Sequence, residues 1–447
     1  MIRRARGWRS IAVLGIAGLA LAACGGDDEG SGEATSSDTS EAPESSAESS
    51  APESSAEAAP PVNEADGTLT VGTLLPETGG LAFLGPPEFA GVDLAAAEIN
   101  AAGGVLGQDV VVSDSDSGDT STDIANQSVD RLLGEGVDAI IGAASSGVTL
   151  TVIDKIAAAQ VVQMSPANTS PTLTDYADDG FYFRTAPSDV LQGRVLGDLV
   201  ATDGCTAVAI MALDDSYGEG LTENATLSLE ASGAALALDP VVYDPEASTF
   251  SAEVTQVAAA NPDCLIIIGF AETVQVIQEL VAQGIGPSAL PTYFVDGNLA
   301  DYSADADPNL PPGTLTGVKG TLPGADTSDD FQARLLETDP SLTSFAYAPE
   351  SYDATILIAL AAVAGGSDDG VTIRDNLVAV SRDGEKCTDF AACIALLDAG
   401  TDIDYDGQSG PIEFAESGDP SSATIGIYQY DDQNKNTPLE FLPGTVE

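Results

Sequence analysis

The segment 140–150, IIGAASSGVTL, joins an apolar strand-like run to a helix-like run through two serines and a glycine. The first turn of a helix carries backbone N–H groups without partners and the positive end of the helix dipole, so a small anion binds there readily. Ser146 adds a hydroxyl donor, and Thr169 in PANTSP adds a second hydroxyl and amide. We predict that these residues bind a carboxylate. A purely local role of Ser145, Ser146 and Thr169 as helix caps and turn formers is the alternative.

A cationic group would need a carboxylate at a facing strand end, and Asp296 in YFVDGN is such a group. The Asp-Gly pair is equally typical of a turn, which is the alternative interpretation. The candidates for the apolar wall of a binding site are Phe83, Leu84, Tyr217, Phe270 and Tyr347. Each of these side chains would otherwise be an ordinary part of a hydrophobic core.

Strand-like and helix-like runs alternate in two series, 69–166 and 206–296, and the second series includes the predicted strand LALDPVVYD at 236–244. Such alternation is typical of parallel sheets covered by helices on both faces. We therefore predict an α/β fold with two Rossmann-like lobes, each built on a parallel central sheet. Ligands of such sheets bind at the carboxyl ends of the strands, where the loops with Ser146, Thr169 and Asp296 are expected.

The sequence shows no recognised catalytic motif. It contains no histidine, which is the commonest general base and metal ligand. Phosphate-binding glycine motifs, a nucleophile elbow and cysteines with zinc spacing are absent from the sequence. The acidic run 114–123 has glycine at a position where a calcium loop needs a ligand, and no glutamate closes it. We therefore expect neither an enzyme nor a cofactor or metal site.

The charge of the chain is strongly one-sided. It has 14 Lys plus Arg against 71 Asp plus Glu, a formal net charge of -57. Such a surface repels phosphate backbones and anionic lipid headgroups, so we expect no nucleic-acid partner. We interpret the excess of carboxylates as a solvated face that keeps the protein in solution.

The first residues have the pattern of an export signal. The basic run MIRRARGWRS is followed by the apolar run IAVLGIAGLALAA and by Cys24. The last four of these positions, 21–24, resemble the bacterial lipobox, which implies cleavage before Cys24 and lipid modification of its thiol. We predict a signal peptide at 1–23 and a protein that is held on the outer face of the cell membrane by this lipid alone. An ordinary signal peptide that happens to precede a cysteine is the alternative.

Residues 24–66 are rich in Ser, Glu, Ala, Pro and Gly and contain few apolar side chains. A segment of this composition buries too little surface to offset its conformational entropy, and its like charges repel one another. We predict that this stretch is a disordered tether between the lipid and the folded body.

Export implies an oxidising compartment, in which the four later cysteines can pair. Cys205 and Cys264 each precede an apolar strand, and neighbouring strands lie about 4.8 Å apart, a spacing compatible with a disulfide. Cys387 and Cys393 are close in sequence and would close a local loop. Free buried thiols are the alternative, and the sequence leaves the pairing open.

Eight segments, in chain order, resemble one known family: FAGVDLAAAEINAAGGVLGQDV, GVDAIIGAASS, MSPANTSPTLT, FYFRTAPSDVLQG, DDSYGEG, TFSAEVTQVAAANPDCLIIIGF, YAPESYDA and DYDGQSGPIEF. From about Gly67 to the C-terminus the chain is similar to the extracytoplasmic substrate-binding proteins of hydrophobic amino acid ABC transporters. The resemblance is to the leucine/isoleucine/valine-binding type, which has the type I periplasmic binding protein fold.

This resemblance assigns roles to particular residues. The ligand carboxylate would be held by Ser146 and Thr169, and its ammonium by the backbone carbonyl of Ala167 and by Asp296. The best-known family members have glutamate where Asp296 stands. The side chain here is one carbon shorter, so its carboxylate lies closer to the backbone.

The resemblance also assigns the apolar wall, in which Tyr217, Phe270 and Tyr347 match aromatic positions of the family and Leu84 replaces an aromatic residue. The changes at Leu84 and Asp296 leave the ligand open among amino acids, amides, urea-like solutes and aromatic acids.

The resemblance further implies three crossings between the lobes, near Ser188, Thr321 and Gly410, which together form a hinge. One lobe would comprise 67–187 and 322–409, and the other 188–321 and 410–447. A ligand that touches both lobes favours their closed form. We expect a monomer that delivers a small amino-acid-like ligand to an ABC transporter permease. A ligand-sensing receptor domain is the alternative function.

Overall fold

The computed structural model describes residues 62–446. The predicted signal peptide, the predicted lipidation site Cys24 and the tether up to residue 61 lie outside the described residues. The first part of the described chain forms, in order, β1 (Thr70–Leu74), α1 (Gly85–Ala101), β2 (Val111–Ser113), α2 (Ile124–Glu135), β3 (Ala139–Gly142), α3 (Ser146–Ala158), β4 (Val162–Ser165) and β5 (Tyr182–Arg184).

The middle part forms α4 (Asp189–Thr202), β6 (Ala207–Leu213), α5 (Ser216–Ala231), β7 (Ala235–Leu236), β8 (Val241–Tyr243), α6 (Ser251–Ala260), β9 (Cys264–Ile268), α7 (Thr273–Ala282), β10 (Thr292–Phe294) and β11 (Lys319–Pro323). The last part forms α8 (Asp329–Thr338), α9 (Ala348–Gly365), α10 (Gly370–Val380), β12 (Glu385–Cys387), α11 (Phe390–Asp398), β13 (Ile403–Tyr405), β14 (Ser422–Tyr430) and β15 (Asn436–Thr445).

The strands build two large sheets. The first sheet is parallel throughout, in the order β2-β1-β3-β4-β5, and the second has the order β15-β14-β11-β10-β9-β6-β7 with β8 also paired to β6. Strands β6, β9, β10 and β11 are parallel to one another. The α/β class and the parallel sheets predicted from the alternation are thus confirmed. The carboxyl ends of the parallel strands in each sheet end in loops at one edge.

The second sheet has an antiparallel border that the alternation did not predict. β14 pairs antiparallel with β11, and β15 pairs antiparallel with β14. No helix separates β14 from β15, so a pattern based on strands alternating with helices gives no sign of them.

The predicted strand at 236–244 is wrong as one continuous element. The structure divides it into β7, which pairs with Ala207 and Val208, and β8, which pairs with 211–213. Pro240 lies between the two pieces. Proline donates no backbone hydrogen bond and fixes its φ angle, so it interrupts the ladder at this point.

Each large sheet has its own hydrophobic core. The first core joins β1, β3 and β4 to α1, α9 and α10, and the second joins β6, β9 and β10 to α5, α6 and α7. After β5 the chain enters α4, which packs against α5, and after β11 it returns through α8 and α9, which pack on α1. Between residues 62 and 446 no single helix is long and apolar enough to cross a membrane; α9 and α10 reach that length only as a pair bent by 105°.

The loop after β13 is fixed by the buried carboxylate of Asp353. This carboxylate accepts hydrogen bonds from the Tyr405 hydroxyl at 2.7 Å and from the backbone N–H groups of Gln408 and Ser409 at 2.9 and 2.7 Å. A Cβ at Gly407 would lie 2.3 Å from the Asp353 carboxylate, so only glycine fits. These contacts account for the segment DYDGQSG as a structural motif.

Both pairs of later cysteines form disulfides. Cys205 is bonded to Cys264 with a Cα–Cα distance of 5.8 Å, and Cys387 to Cys393 with a distance of 5.3 Å. The first bond joins the entries of β6 and β9, and the second joins β12 to α11.

The two disulfides are expected to differ in their effect on stability. They close loops with sequence separations of 59 and 6 residues. In the chain-entropy description these loops correspond to about 4 and about 2 kcal/mol. We expect C205S/C264S to lower the free energy of unfolding in urea by about 2 kcal/mol more than C387S/C393S. Equal losses would show that loop length does not determine the contribution.

Candidate functional site

The strand ends of the two sheets line one narrow cavity between the sheets. All eight residues that the resemblance assigns to the ligand line it, and so do four further residues. Phe83 does not line it and packs instead against the apolar cluster beside it. The lining consists of Leu81, Leu84, Ala144, Ser145, Ser146, Ala167, Thr169, Tyr217, Phe270, Asp296, Gly297 and Tyr347. The structure therefore brings the predicted residues together around one space, and their contact with a ligand stays a prediction.

The three hydroxyls of the predicted carboxylate site differ in their roles. Ser145 is the N-cap of α3, and its side chain accepts a hydrogen bond from the Val148 N–H at 3.3 Å. For Ser145 the structure therefore shows the local capping role that was the alternative to carboxylate binding. The Ser146 hydroxyl accepts from the Ser170 N–H at 3.2 Å, which leaves its own O–H free to donate. The buried Thr169 hydroxyl has no hydrogen-bond partner. We call Ser146, Thr169 and the first turn of α3 the anion seat.

Polar contacts join the two loops that carry the anion seat. The Ser165 hydroxyl donates to the Ala143 carbonyl at 2.6 Å and accepts from the Asn168 N–H at 2.9 Å. The Asn168 amide donates to the Ala144 carbonyl at 2.8 Å. Because the loop after β3 and the loop after β4 are bonded to each other, the anion seat is a single preformed unit.

The buried side chain of Arg184 holds the loop after β4 in place. The Arg184 guanidinium binds the Asp419 carboxylate with two hydrogen bonds, of 2.6 and 2.9 Å. Its other N–H groups donate to the carbonyls of Asn168 and Ser170 and to the Thr174 hydroxyl, at 3.3, 2.9 and 2.8 Å. All five donors of a guanidinium are thereby used. Arg184 thus fixes the loop with Thr169 to the segment that leads into β14.

The opposite side of the cavity is formed by Asp296. One oxygen of its carboxylate accepts from the Tyr217 hydroxyl at 2.7 Å and from the Gln192 side-chain amide at 2.8 Å, and the other accepts from the Tyr347 hydroxyl at 2.8 Å. Burial raises the pKa of Asp296, although these three hydrogen bonds lower it in part. The carboxylate is thus part of a buried network and is more than a turn former. We call Asp296 and the Ala167 carbonyl the cation seat.

Tyr347 connects the two sides of the cavity. It is the N-cap of α9, which packs in the first core, and its hydroxyl reaches Asp296 beyond β10 of the second sheet. Its backbone has a φ of 58°, a left-handed conformation that costs a non-glycine residue about 1–3 kcal/mol. The hydrogen bond to Asp296 is one contact that holds the tyrosine in this conformation.

Aromatic and apolar side chains cover the remaining wall. The rings of Tyr217 and Phe270 are stacked, with centroids 5.7 Å apart and an interplanar angle of 13°. Leu81, Leu84 and Tyr347 belong to a small apolar cluster against which Phe270 packs. The cavity therefore combines two polar ends with an apolar side.

A second cavity adjoins the first and shares Leu81, Ser145 and Phe270 with it. Its acidic side chains are Asp119, Asp214, Asp215, Glu246 and Glu272. Neither cavity has a lysine or arginine in its lining. The space between the sheets therefore favours solutes that carry a positive group.

Sequence reasoning missed Arg184, Asp419 and Gln192, which support the site without lining the cavity. The only signal for Arg184 was that one of 14 basic residues falls in the short apolar run FYFR. Nothing in the local pattern indicates that Gln192 reaches Asp296.

Comparisons with known proteins agree on one family. A family model described as periplasmic binding protein matches residues 68–432. The chain is 29% identical over 364 residues to the chemotactic signal transduction system substrate-binding protein BasB of Halobacterium salinarum, covering 79% of this chain and 84% of that protein.

Two solved structures are similar in fold. The leucine-binding protein LivK of Thermotoga maritima has a TM-score of 0.67 at 19% identity, with 84% of this chain and 98% of that chain covered. A solute-binding protein of an ABC transporter from Rhodopseudomonas palustris HaA2, in complex with p-hydroxybenzoic acid, has a TM-score of 0.66 at 15% identity, covering 85% and 98%.

The buried ion pair is expected to dominate the stability of this region. Replacing one partner leaves the other charge buried and unpaired, which costs about 3–5 kcal/mol. We expect Arg184→Met to lower the free energy of unfolding in urea by that amount. The control is Lys155→Met, whose 2.7 Å ion pair with the mostly exposed Asp130 contributes less than about 1 kcal/mol. Similar losses in the two variants would contradict the role assigned to Arg184.

Proposed function

Since the chain belongs to the periplasmic binding protein family, we propose that it captures a small zwitterionic solute, a branched-chain or other hydrophobic amino acid, for an ABC transporter. It is a substrate-binding protein of the ABC transporter type, and its relatives bind solutes and are not enzymes. The proposal concerns the ligand, the way in which it is held and the delivery to a permease.

The ligand carboxylate would lie on the anion seat and its ammonium on the cation seat. The free O–H of Ser146 and the unpartnered hydroxyl of Thr169 are available to a carboxylate. On the other side Asp296 is a buried carboxylate in a lining without a basic residue. This last observation carries the proposal, because a buried anion is stabilised by a positive group and the residues that line the cavity offer none.

The apolar side of the cavity would hold the side chain of the amino acid. Leu84, Phe270 and Tyr347 offer hydrocarbon surface and rings between the two polar ends.

Binding would close two lobes around the solute, as the crossings near Ser188, Thr321 and Gly410 suggest. Three hydrogen bonds between the sheets support a closed form. The Ala271 N–H donates to the Gly80 carbonyl at 3.2 Å, and the Ser170 hydroxyl donates to the Ser216 carbonyl at 2.8 Å. The third joins Tyr347 to Asp296. A ligand that contacts both seats would stabilise this form.

We further propose that Cys24 is lipidated, that residues 24–66 tether the monomer to the outer face of the membrane, and that the closed form is recognised by a permease. The basis is the sequence pattern at 1–24 and the low-complexity composition that follows.

A sensing role is the second candidate, because the name of the relative BasB describes chemotactic signal transduction.

An aromatic acid is the weaker candidate ligand. The p-hydroxybenzoate in the similar Rhodopseudomonas structure is an organic anion. In this chain such an anion would enter a space lined by Asp296 and the acidic second cavity without any basic side chain. The Coulomb repulsion favours a solute whose net charge is zero.

The ligand class can be tested by thermal unfolding and calorimetry of the protein with L-leucine, L-isoleucine, L-valine, p-hydroxybenzoate and urea. A ligand that binds only the folded state raises the melting temperature. We expect one or more of the amino acids to do so. Stabilisation by p-hydroxybenzoate or urea, with none by any amino acid, would contradict the proposal.

The seats can be tested by two substitutions. Ser146→Ala and Asp296→Asn each remove a hydrogen bond to a charged ligand group, which is worth about 1–3 kcal/mol. We expect each to raise the dissociation constant for the stabilising amino acid by about 5- to 150-fold. Ser341→Ala and Asp330→Asn, at exposed positions, are the matched controls and are expected to bind as the unmodified protein does. Unchanged affinity in both seat variants would remove the assignment.

A further inference from the structure

The chain passes between the two large sheets at three places. It leaves the first sheet after β5 and enters α4, it returns after β11 into α8, and it crosses again between β13 and β14. Any movement of one sheet relative to the other has to bend the backbone at these three crossings. A side chain that touches them is therefore sensitive to closure.

Glu350, in the first turn of α9, lies where the crossings meet. Its backbone carbonyl accepts a hydrogen bond at 2.9 Å from the hydroxyl of Thr185, the residue that follows β5. A Cβ on Gly324, in the second crossing, would lie 2.8 Å from a carboxylate oxygen of Glu350. The Gly324 N–H donates to the Thr424 carbonyl of β14 at 2.8 Å, which ties the second crossing to the third. The Glu350 side chain thus fills the space between these segments and is only 2% exposed.

A second buried carboxyl group, on Glu88 of α1, lies near Glu350. Glu88 is 0% exposed, and neither of its carboxylate oxygens has a hydrogen-bond partner. Burial raises the pKa of Glu88 well above its ordinary value, and the charge of Glu350 raises it further. Because an unpaired buried carboxylate is costly, Glu88 keeps its proton and gives Glu350 no counter-charge.

The other groups around Glu350 give it no counter-charge either. Burial raises the pKa of Glu350 to about 8, its own backbone N–H lowers it in part, and the charge of Asp353 raises it. In the described part of the chain none of the groups that shift this pKa is a lysine or arginine. The titratable groups nearby are all acids: Glu88 on α1, Tyr347 and Asp353 on α9, Tyr428 on β14, and Asp326 beside Tyr428.

We propose that Glu350 couples closure of the two lobes to the uptake of one proton, because its carboxyl group is protonated in the closed form and hydrated and ionised in the open form. This inference rests on the closure described in the proposed function and adds a dependence on pH to it. The proton comes from the solvent. Bending at the crossings separates Gly324 from Glu350 and admits water, and the carboxyl group then releases its proton.

The sign of the pH dependence follows from the higher pKa of Glu350 in the closed form. Below its ordinary pKa of 4.5 the carboxyl group is protonated in both forms, and closure is most favourable. Closure becomes less favourable as the pH rises from there to about 8, where the carboxyl group ionises in the closed form as well. Asp296 contributes with the opposite sign, because a ligand ammonium lowers its pKa and releases a proton. The contribution of Glu350 is therefore measured as a difference between variants.

A purely structural role for Glu350 makes a different prediction. A carboxylate in the first turn of a helix interacts favourably with the helix dipole. In that case Glu350 would carry the same charge in the open and closed forms. Glu350→Gln would then lower the stability of the protein and leave the proton uptake on ligand binding unchanged.

The test is isothermal titration calorimetry of the full chain with L-leucine in buffers of different ionisation enthalpy, which gives the protons taken up per ligand. At about pH 6.5 we expect the unmodified protein to take up at least about 0.5 proton more than Glu350→Gln, whose amide resembles the protonated carboxyl group. From about pH 5.5 to about pH 8.5 the dissociation constant of the unmodified protein, divided by that of Glu350→Gln, should rise at least about tenfold.

Asp138→Asn is the matched control. Burial raises the pKa of Asp138 to about 7, and this residue precedes β3, at the edge of the first sheet opposite to the crossings. Both Asp138→Asn and Glu88→Gln should take up as many protons per leucine as the unmodified protein does. Equal uptake in the unmodified protein and Glu350→Gln overturns the inference while the proposed function stands. Loss of the uptake in Glu88→Gln, with its retention in Glu350→Gln, also overturns the assignment to Glu350.

A second measurement needs no variant. In the unmodified protein labelled with carbon-13 at the glutamate carboxyl groups, one glutamate should titrate near pH 8 with leucine bound and closer to its ordinary pKa without leucine. Identical titrations with and without leucine overturn the inference alone. Failure of the protein to bind leucine, isoleucine or valine overturns the proposed function and this inference together.

Discussion

The buried ion pair between Arg184 and Asp419 is the constraint on which the rest of the site depends. A guanidinium removed from water is costly unless every donor finds an acceptor, and here all five do. The acceptors come from the loop that carries Thr169 and from the segment that leads into β14. Arg184 therefore fixes the loop that carries Thr169 to the segment that leads into β14.

The charge distribution of the cavity follows from this arrangement. Arg184 is paired with Asp419 and does not line the cavity. The space between the sheets is lined by carboxylates and hydroxyls and has no basic side chain. Asp296 is held by two tyrosines and Gln192, which supply hydrogen bonds and no charge. A buried carboxylate with dipolar partners alone remains uncompensated, and a ligand ammonium would supply the missing charge. The acidic surface of the whole chain works in the same direction.

Local patterns predicted the elements that alternate regularly and failed where the chain departs from alternation. The elements from β1 to β4 and from β6 to β10 follow from apolar runs bounded by glycine, proline and cap residues, with Pro240 as the missed interruption. β5 and α4, which lie between the two predicted series, were not assigned from the pattern. The helices and strands after residue 296 could not be predicted from alternation. Helices α8 to α11 follow one another with only the short β12 between them, and β14 and β15 form an antiparallel pair. At the site, strand ends predicted Ser146, Thr169 and Asp296. Arg184, Asp419 and Gln192 were missed, since their importance comes from burial against distant segments.

The most direct test is a crystal structure of the protein grown with L-leucine. The expected result is one leucine between the sheets, with its carboxylate within hydrogen-bond distance of the Ser146 hydroxyl and its ammonium within hydrogen-bond distance of the Asp296 carboxylate. A leucine in the reverse orientation, or bound outside the cavity that these residues line, would contradict the assignment of the two seats.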